Sequence, residues 1–134
     1  MDLVVDANVI ISALVSLSGK TSGLLFSDNF NLYAPEFLLE EIKKHGEEIK
    51  SKSGLLQGNI ELALTLISLN IKFIPFSEFE QFISESSEIC PDPNDIEYFA
   101  LALKIKCSIW SNDKKIGNQD LVKVLTTSEL LKMF

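Results

Sequence analysis

The chain has 134 residues, of which 46% are hydrophobic, and its formal net charge is −7. This length and apolar content supply one hydrophobic core, so we expect a single domain over residues 1–134. The negative charge argues against a protein that binds nucleic acid through a broad basic surface, but it is compatible with acids that hold divalent cations.

Membrane and redox signals are both missing from the sequence. No apolar run approaches the ~20 residues that span a bilayer, and no basic segment precedes an apolar one. Cys90 and Cys107 lack the close spacing of metal or redox pairs, so both are predicted to be reduced thiols beside the core. We therefore expect a cytoplasmic protein without a membrane segment.

The first predicted strand is the β-branched run from Asp2 to Asp6. Because this run lacks apolar–polar alternation, we expect it to be buried on both faces of a sheet. Residues 7–17 follow with helical spacing, and either Asp6 or Asn8 can cap that helix. A short second helix is predicted over residues 21–26. Asp6 is thus expected at the end of a buried strand.

A predicted strand over residues 31–34 is followed by Pro35, which is expected to open a long helix. Glu41 projects within the apolar face of this helix, whereas Glu40 projects about 100° away, toward solvent. His45, one turn later on the same face, is more commonly a packed or hydrogen-bonded side chain than a ligand. An ionisable group on a core-facing stripe needs a partner such as a cation, so Glu41 is a candidate site residue.

The middle of the chain is predicted to contain a helical hairpin with its turn at 51–58 and its second helix at 59–69. A strand over 71–74 and a helix over 76–89 follow. The hairpin carries more leucines than a sheet edge can cover, so we expect part of it to form a symmetric dimer interface. These leucines are Leu55, Leu56, Leu62, Leu66 and Leu69.

The next helix has an acidic start. Pro93 suits the first helical position, which makes Asp92 the cap. Asp95 falls on the apolar face of this helix, whereas Glu97 points away. Asp92 and Asp95 also have nearly the spacing of a capping box, which requires no function.

The last strands and helix complete the alternation. A short strand is predicted over residues 107–110, and Asp113 lies just past its carboxyl end, where open α/β sheets bind ligands. Asp113 is equally compatible with the start of a turn. A strand over 121–125 and a helix from Thr126 or Ser128 follow. The order of elements predicts an α/β three-layer sandwich with a central parallel sheet of four to five strands.

Four acids are placed near one edge of this sheet by separate arguments: Asp6, Glu41, Asp95 and Asp113. Clustered carboxylates stay ionised together only if cations fill the site, and all-oxygen sets suit Mg²⁺ or Mn²⁺. The chain has no phosphate-binding glycine loop, no paired cysteine motif, and no serine elbow for its single His. The chemistry that most often needs such a site is phosphodiester cleavage by metal-activated water.

Four short motifs contain these acids in order: VVDANVI with Asp6, LLEEI, DPNDIEYFALAL with Asp95, and IWSND with Asp113. Together they resemble the motifs of the PIN-domain family, over essentially the whole chain. In the second motif of that family the functional acid directly precedes the aliphatic residue, which selects Glu41. Each motif is weak alone, but four in order at the approximate spacing of the family are fairly specific.

The resemblance implies a metal-dependent endoribonuclease that cleaves single-stranded RNA. Asp6, Asp95 and Asp113 would hold Mg²⁺ or Mn²⁺, with Glu41 as a further ligand or water-binding group. Asp92 would be an extra acid that helps to hold a metal or merely caps the helix. The resemblance also implies a homodimer and, for the toxin branch, a cognate antitoxin. Hydrogen-bonding groups around the acids would be Asn8, Ser111 and Asn112.

Two alternatives remain open at this stage. The fold could serve as a non-catalytic binding or assembly module, with its acids only partly competent. A phosphoryl-transfer receiver domain is less favoured, because it asks for adjacent acids at the first strand end and Asp6 stands alone. The chain contains no Arg, so phosphate contacts would depend on lysines such as Lys20, Lys114 and Lys115, unless these are only surface charges.

Overall fold

The computed structural model describes all residues from 1 to 134 and contains one five-stranded sheet. All four strand pairs are parallel, and the strand order is β3-β2-β1-β4-β5. The strands are β1 (Asp2–Val5), β2 (Asn31–Pro35), β3 (Ile71–Ile74), β4 (Ser108–Trp110) and β5 (Val124–Leu125). The predicted parallel sheet is confirmed.

Strand β1 occupies the centre of the sheet, as its apolar sequence requires. Leu3, Val4 and Val5 are completely buried, because helices cover both faces of the strand. Leu3 is paired with Leu32 of β2 on one side and with Ser108 of β4 on the other. Asp6, the residue that follows β1, therefore lies at the carboxyl edge of the sheet, beside the end of β4.

Eight α-helices surround the sheet. They are α1 (Ala7–Val15), α2 (Lys20–Leu25), α3 (Leu38–Lys44), α4 (Gly46–Ser53), α5 (Gln57–Ser68), α6 (Ile83–Ile89), α7 (Ile96–Ile105) and α8 (Thr127–Met133). Helix α1 packs against α2 to α5, whereas α7 packs against α6 and against β1, β2 and β4. The chain moves in one direction along the sheet from β1 to β3 and in the other from β3 to β4. Because such crossovers are right-handed, these two groups of helices lie on opposite faces. The predicted three-layer sandwich is confirmed.

The helix predicted from Pro35 begins later and is divided in two. Pro35 is the last residue of β2, where it is paired with Ile74 of β3. Strand β1 pairs with β2 only as far as Tyr33, so the missing N–H of Pro35 costs no hydrogen bond to β1. Helix α3 ends at Lys44, and α4 begins at Gly46, a residue type with poor helix propensity.

Two other predicted elements are shorter than their sequence patterns indicate. Residues 76–82 form two 3-10 turns before α6. Phe79 is fully buried there and packs edge-on against Phe76, with the ring centroids 5.6 Å apart. The strand predicted over 121–125 contains only Val124 and Leu125. The N–H groups of Leu121 and Val122 instead donate to the side-chain oxygen of Gln119, which removes them from the sheet ladder.

None of the eight helices is both long enough and apolar enough to cross a membrane.

Candidate active site

Asp6 follows β1 directly and is only 5% exposed. Its N–H donates to the carbonyl of Trp110 at the end of β4, and its carboxylate accepts a 2.7 Å hydrogen bond from the Ser111 hydroxyl. Burial raises the pKa of Asp6, the bond from Ser111 opposes that rise, and the negative charge of Asp113 adds to it. Asp6 is therefore a buried acid held at the edge between β1 and β4.

Ser111 connects the ends of these two strands. While it donates to Asp6, its hydroxyl oxygen accepts the N–H of Asp113 at 3.1 Å and lies 3.5 Å from the amide nitrogen of Asn8. Asp113 is half-buried, and its Oδ1 accepts the N–H of Lys115. Asp113 thus starts a turn and also presents its charge to Asp6.

Glu41 and Asp95 bring two further carboxylates to this edge from α3 and from the start of α7. Both are half-buried. Burial, followed by the charge of Asp6, raises the pKa of each to about 7. The charges of Asp113 and Glu41 also contribute to the raised pKa of Asp95. All four predicted acids are therefore electrostatic neighbours, whereas Glu40 is exposed.

None of the four acids has an ion-pair partner. The ion pairs of the structure join His45 and Lys52 to Glu48 on exposed α4. Lys44 and His45 lower the pKa of Glu41, but neither pairs with it. An uncompensated set of half-buried and buried carboxylates fits a hard divalent cation, which prefers oxygen donors.

The carboxylate oxygens are not arranged around one common point. No three acidic, histidine or cysteine side chains lie close enough together to share one metal ion. Hydrogen bonds do not contribute to the pKa values of Glu41 or Asp95, so neither carboxylate is tied in place. Coordination of one ion would require these side chains to approach one another.

The topology points to the same location. Strand order reverses at β1, since the chain proceeds outward to β2 and β3 and later returns to β4. Open parallel sheets bind ligands at the carboxyl edge of such a switch point.

The sequence profile of the PIN domain matches residues 4–132. The chain belongs to the PIN-domain family.

PIN domains are generally nucleases, and they typically use divalent metals. The crystal structure of PAE2754 from Pyrobaculum aerophilum has a similar fold, with a TM-score of 0.65 over 99% of this chain and 88% of that chain. The two sequences are 14% identical, so this similarity concerns the fold alone. No curated protein matches the sequence significantly.

Two polar residues of this PIN domain that were predicted near the site, Asp92 and Asn112, make hydrogen bonds within the fold. The Asp92 carboxylate accepts the N–H of Asn94 at the 3-10 turn Pro93–Asp95, as predicted for a cap, and its charge contributes to the raised pKa of Asp95. Asn112 bonds through both side-chain atoms to Thr127, at the start of α8. Both polar atoms of the Asn112 side chain therefore bond to the start of α8, and its role in orienting the acids or a water stays a prediction.

Glu97 is predicted to lie on the side of its helix away from Asp95, and the structure shows what it contacts there. Glu97 is half-buried and lines a cleft of about 390 Å³ together with Glu41, Lys44, His45 and Asn94. Helix α7 is buried on all sides from Tyr98 to Ala102, whereas Asp95, Ile96 and Glu97 at its start are half-buried. Helical periodicity detects a single apolar stripe and could not reveal this.

The basic groups beside the acids also differ from those suggested by the sequence. Lys20, Lys114 and Lys115 are exposed, and none of them lines the cleft. Lys44 does, and so does His45, whose side chain is 48% exposed and lies within hydrogen-bond distance of Glu48, as expected for a packed or hydrogen-bonded histidine. The cleft therefore presents acidic and basic groups side by side.

Proposed function

We propose that this PIN domain is a metal-dependent endoribonuclease that cleaves single-stranded RNA. The observation that carries the proposal is the set of four neighbouring acids without ion-pair partners at the switch point of the sheet. Asp6, Asp95 and Asp113 would hold Mg²⁺ or Mn²⁺, and Asp92 is close enough to Asp95 to add its charge. A bound cation supplies positive charge that stabilises the scissile phosphate and lowers the pKa of an attacking water.

The protein residues have separable roles in this proposal. Glu41 would be a further metal ligand or would hold the attacking water through its carboxylate. Ser111 fixes the Asp6 carboxylate by its 2.7 Å bond, and Asn8 lies against Ser111. Lys44 lines the cleft beside Glu41 and would offer positive charge to the phosphates of an RNA strand that enters it.

The test of this function compares two adjacent glutamates. Glu41→Gln is expected to reduce cleavage of a labelled single-stranded RNA at least tenfold, about 1.4 kcal/mol in barrier. Glu40→Gln changes an exposed residue one position away and should leave the rate nearly intact. Chelator should stop cleavage by the wild type, and Mn²⁺ or Mg²⁺ should restore it. Equal rates for both variants, or cleavage indifferent to chelator, would exclude the proposed roles.

The family also suggests a toxin role, which we propose as the cellular setting of this activity. A toxin requires a cognate antitoxin, encoded alongside, that blocks the acidic edge or its cleft. Expression of the chain alone should then arrest growth, and expression of Glu41→Gln should not. Growth unaffected by an active, cleavage-competent wild type would argue against the toxin role while leaving the nuclease proposal in place.

A homodimer through α5 is the second partner proposal. Leu62, Leu66 and Leu69 follow at helical spacing on the outer side of α5, with Leu56 just before it, and these four are 47–78% exposed. One continuous apolar stripe can pack against its own symmetry copy. Light scattering should therefore give twice the mass of the chain at micromolar concentration.

A charged substitution distinguishes a specific dimer interface from non-specific hydrophobic association. Leu62→Glu should convert the dimer to a monomer without changing the fold, because its side chain is 60% exposed. Leu121→Glu, at a comparably exposed leucine outside the stripe (51%), should leave the mass unchanged. A monomeric wild type would contradict this proposal.

A further inference from the structure

Thr127, the first residue of α8, contacts both the end of β4 and the loop that follows it. Its hydroxyl oxygen accepts hydrogen bonds from Trp110 Nε1 at 3.0 Å and from Asn112 Nδ2 at 2.9 Å. Its own N–H donates to Asn112 Oδ1 at 2.8 Å. The first N–H groups of a helix have no partner within the helix, so the Asn112 side chain satisfies one of them.

Asn112 stands between the two loop residues that reach the acidic site. Ser111 donates to Asp6 at 2.7 Å and accepts the N–H of Asp113 at 3.1 Å. The backbone N–H and carbonyl of Asn112 make no hydrogen bond within the fold, so the hydrogen bonds that hold this residue are those of its side chain to Thr127. A continuous path of contacts therefore runs from Thr127 through residues 112 and 111 to Asp6.

Helix α8 is a firm support for this loop. Its N-terminus is closed by a capping box, in which Thr126 and Glu129 bond to each other's backbone N–H. Leu130, one turn later, is completely buried. Trp110 is completely buried as well, and leaving its N–H unpaired would be unfavourable. The bond from Trp110 to Thr127 therefore keeps the start of α8 against β4.

We infer that Thr127 is a positioning residue that fixes this loop by holding Asn112. The Asp113 carboxylate, which the same loop carries, is thereby kept in place at the acidic site. The consequence for a divalent cation rests on the proposed function, in which Asp6 and Asp113 are both ligands. A ligand that is already held loses less freedom when it binds the cation, so the fixed loop raises the affinity.

The experiment measures the loop and the cation separately in two substitutions of Thr127. Thr127→Val keeps the shape of the side chain and removes its hydroxyl, whereas Thr127→Ser keeps the hydroxyl. In chelator, hydrogen exchange at the Asp113 N–H should become about tenfold faster in Thr127→Val and stay within about twofold of the wild type in Thr127→Ser. Calorimetric titration with Mn²⁺ should give Thr127→Val a dissociation constant about fivefold higher and leave that of Thr127→Ser unchanged.

Two further variants separate positioning from the stability of α8. Thr126→Ala removes the cap of the same helix, so it should lower the melting temperature but change neither the exchange at Asp113 nor the affinity for Mn²⁺. Asn112→Ala breaks the link to the loop and leaves the bond between Trp110 and Thr127 in place. It should therefore reproduce both effects of Thr127→Val, and it decides the question even if that variant folds poorly.

The double variant tests whether Thr127 acts through Asn112. Adding Thr127→Val to Asn112→Ala should weaken Mn²⁺ binding no further. The inference is overturned by unchanged exchange or unchanged affinity in Asn112→Ala, by an equal change in Thr126→Ala, or by an additive loss in the double variant. A wild type that binds no Mn²⁺ would refute the proposed function instead, and the exchange at Asp113 would still show whether Thr127 positions the loop.

Discussion

Asp6→Asn is expected to reduce RNA cleavage by at least about a hundredfold, ~2.7 kcal/mol in barrier. Asp6 is the most buried of the four acids, and its charge raises the pKa of both Glu41 and Asp95. Asn keeps the shape of the side chain and can still accept the hydrogen bond from Ser111, so the fold should persist. The measurement is the single-turnover rate on single-stranded RNA, with melting as a check on folding.

Asp2 provides a control at the opposite end of the same strand. It is exposed, and it accepts a hydrogen bond from Asn31, far from the carboxyl edge. Asp2→Asn removes the same charge from the chain and should keep the cleavage rate within about twofold, less than ~0.5 kcal/mol in barrier. If the two variants lost activity equally, the effect would be one of net charge rather than of position.

Asp95→Asn is expected to stabilise the metal-free protein at pH 8. The pKa of Asp95 is raised from 3.8 to about 7 in the fold, so its contribution to stability is present below its unfolded pKa and is lost as pH rises through about 7. Above that pH the ionised carboxylate repels Asp6, Asp92 and Asp113. The neutral amide removes the repulsion, which should appear as a higher melting temperature in chelator.

Magnesium should reverse the order of the two proteins. At a hundred times its dissociation constant it should stabilise the wild type by about 2.7 kcal/mol, and the variant much less. Asp120→Asn, at an exposed loop acid, should match the wild type in both conditions. If Asp95 merely helps to begin α7, then Asp95→Asn should gain nothing in chelator and magnesium should have no effect on either protein.

The features that could be predicted from the sequence are those that depend on local pattern. The unbroken apolar run of β1 predicts a central strand, and the helical face that contains Glu41 but excludes Glu40 matches the burial of these two residues. Asp6 and Asp113 could be placed because strand ends are visible in the sequence. That one domain accounts for residues 1–134, and that these acids form the active site, remain predictions.

The features that could not be predicted depend on tertiary contacts. Pro35 is tolerated in β2 because the pairing of β1 stops short of it, and Glu97 lines a cleft because α3 packs beside the start of α7. The Asn112 side chain donates a hydrogen bond to Thr127, fifteen residues later in the chain, and no local sequence pattern indicates that contact.

Proton release on metal binding tests the central claim most directly. Glu41 and Asp95 have pKa values of about 7 in the metal-free fold, so each is about half protonated at pH 7. A cation that binds their ionised forms must displace those protons. Calorimetric titration with Mg²⁺ or Mn²⁺ at pH 7, in buffers of different ionisation enthalpy, should detect release of up to about one proton, falling to zero by about pH 9. Absence of binding, or binding without proton release at pH 7, would contradict the metal site.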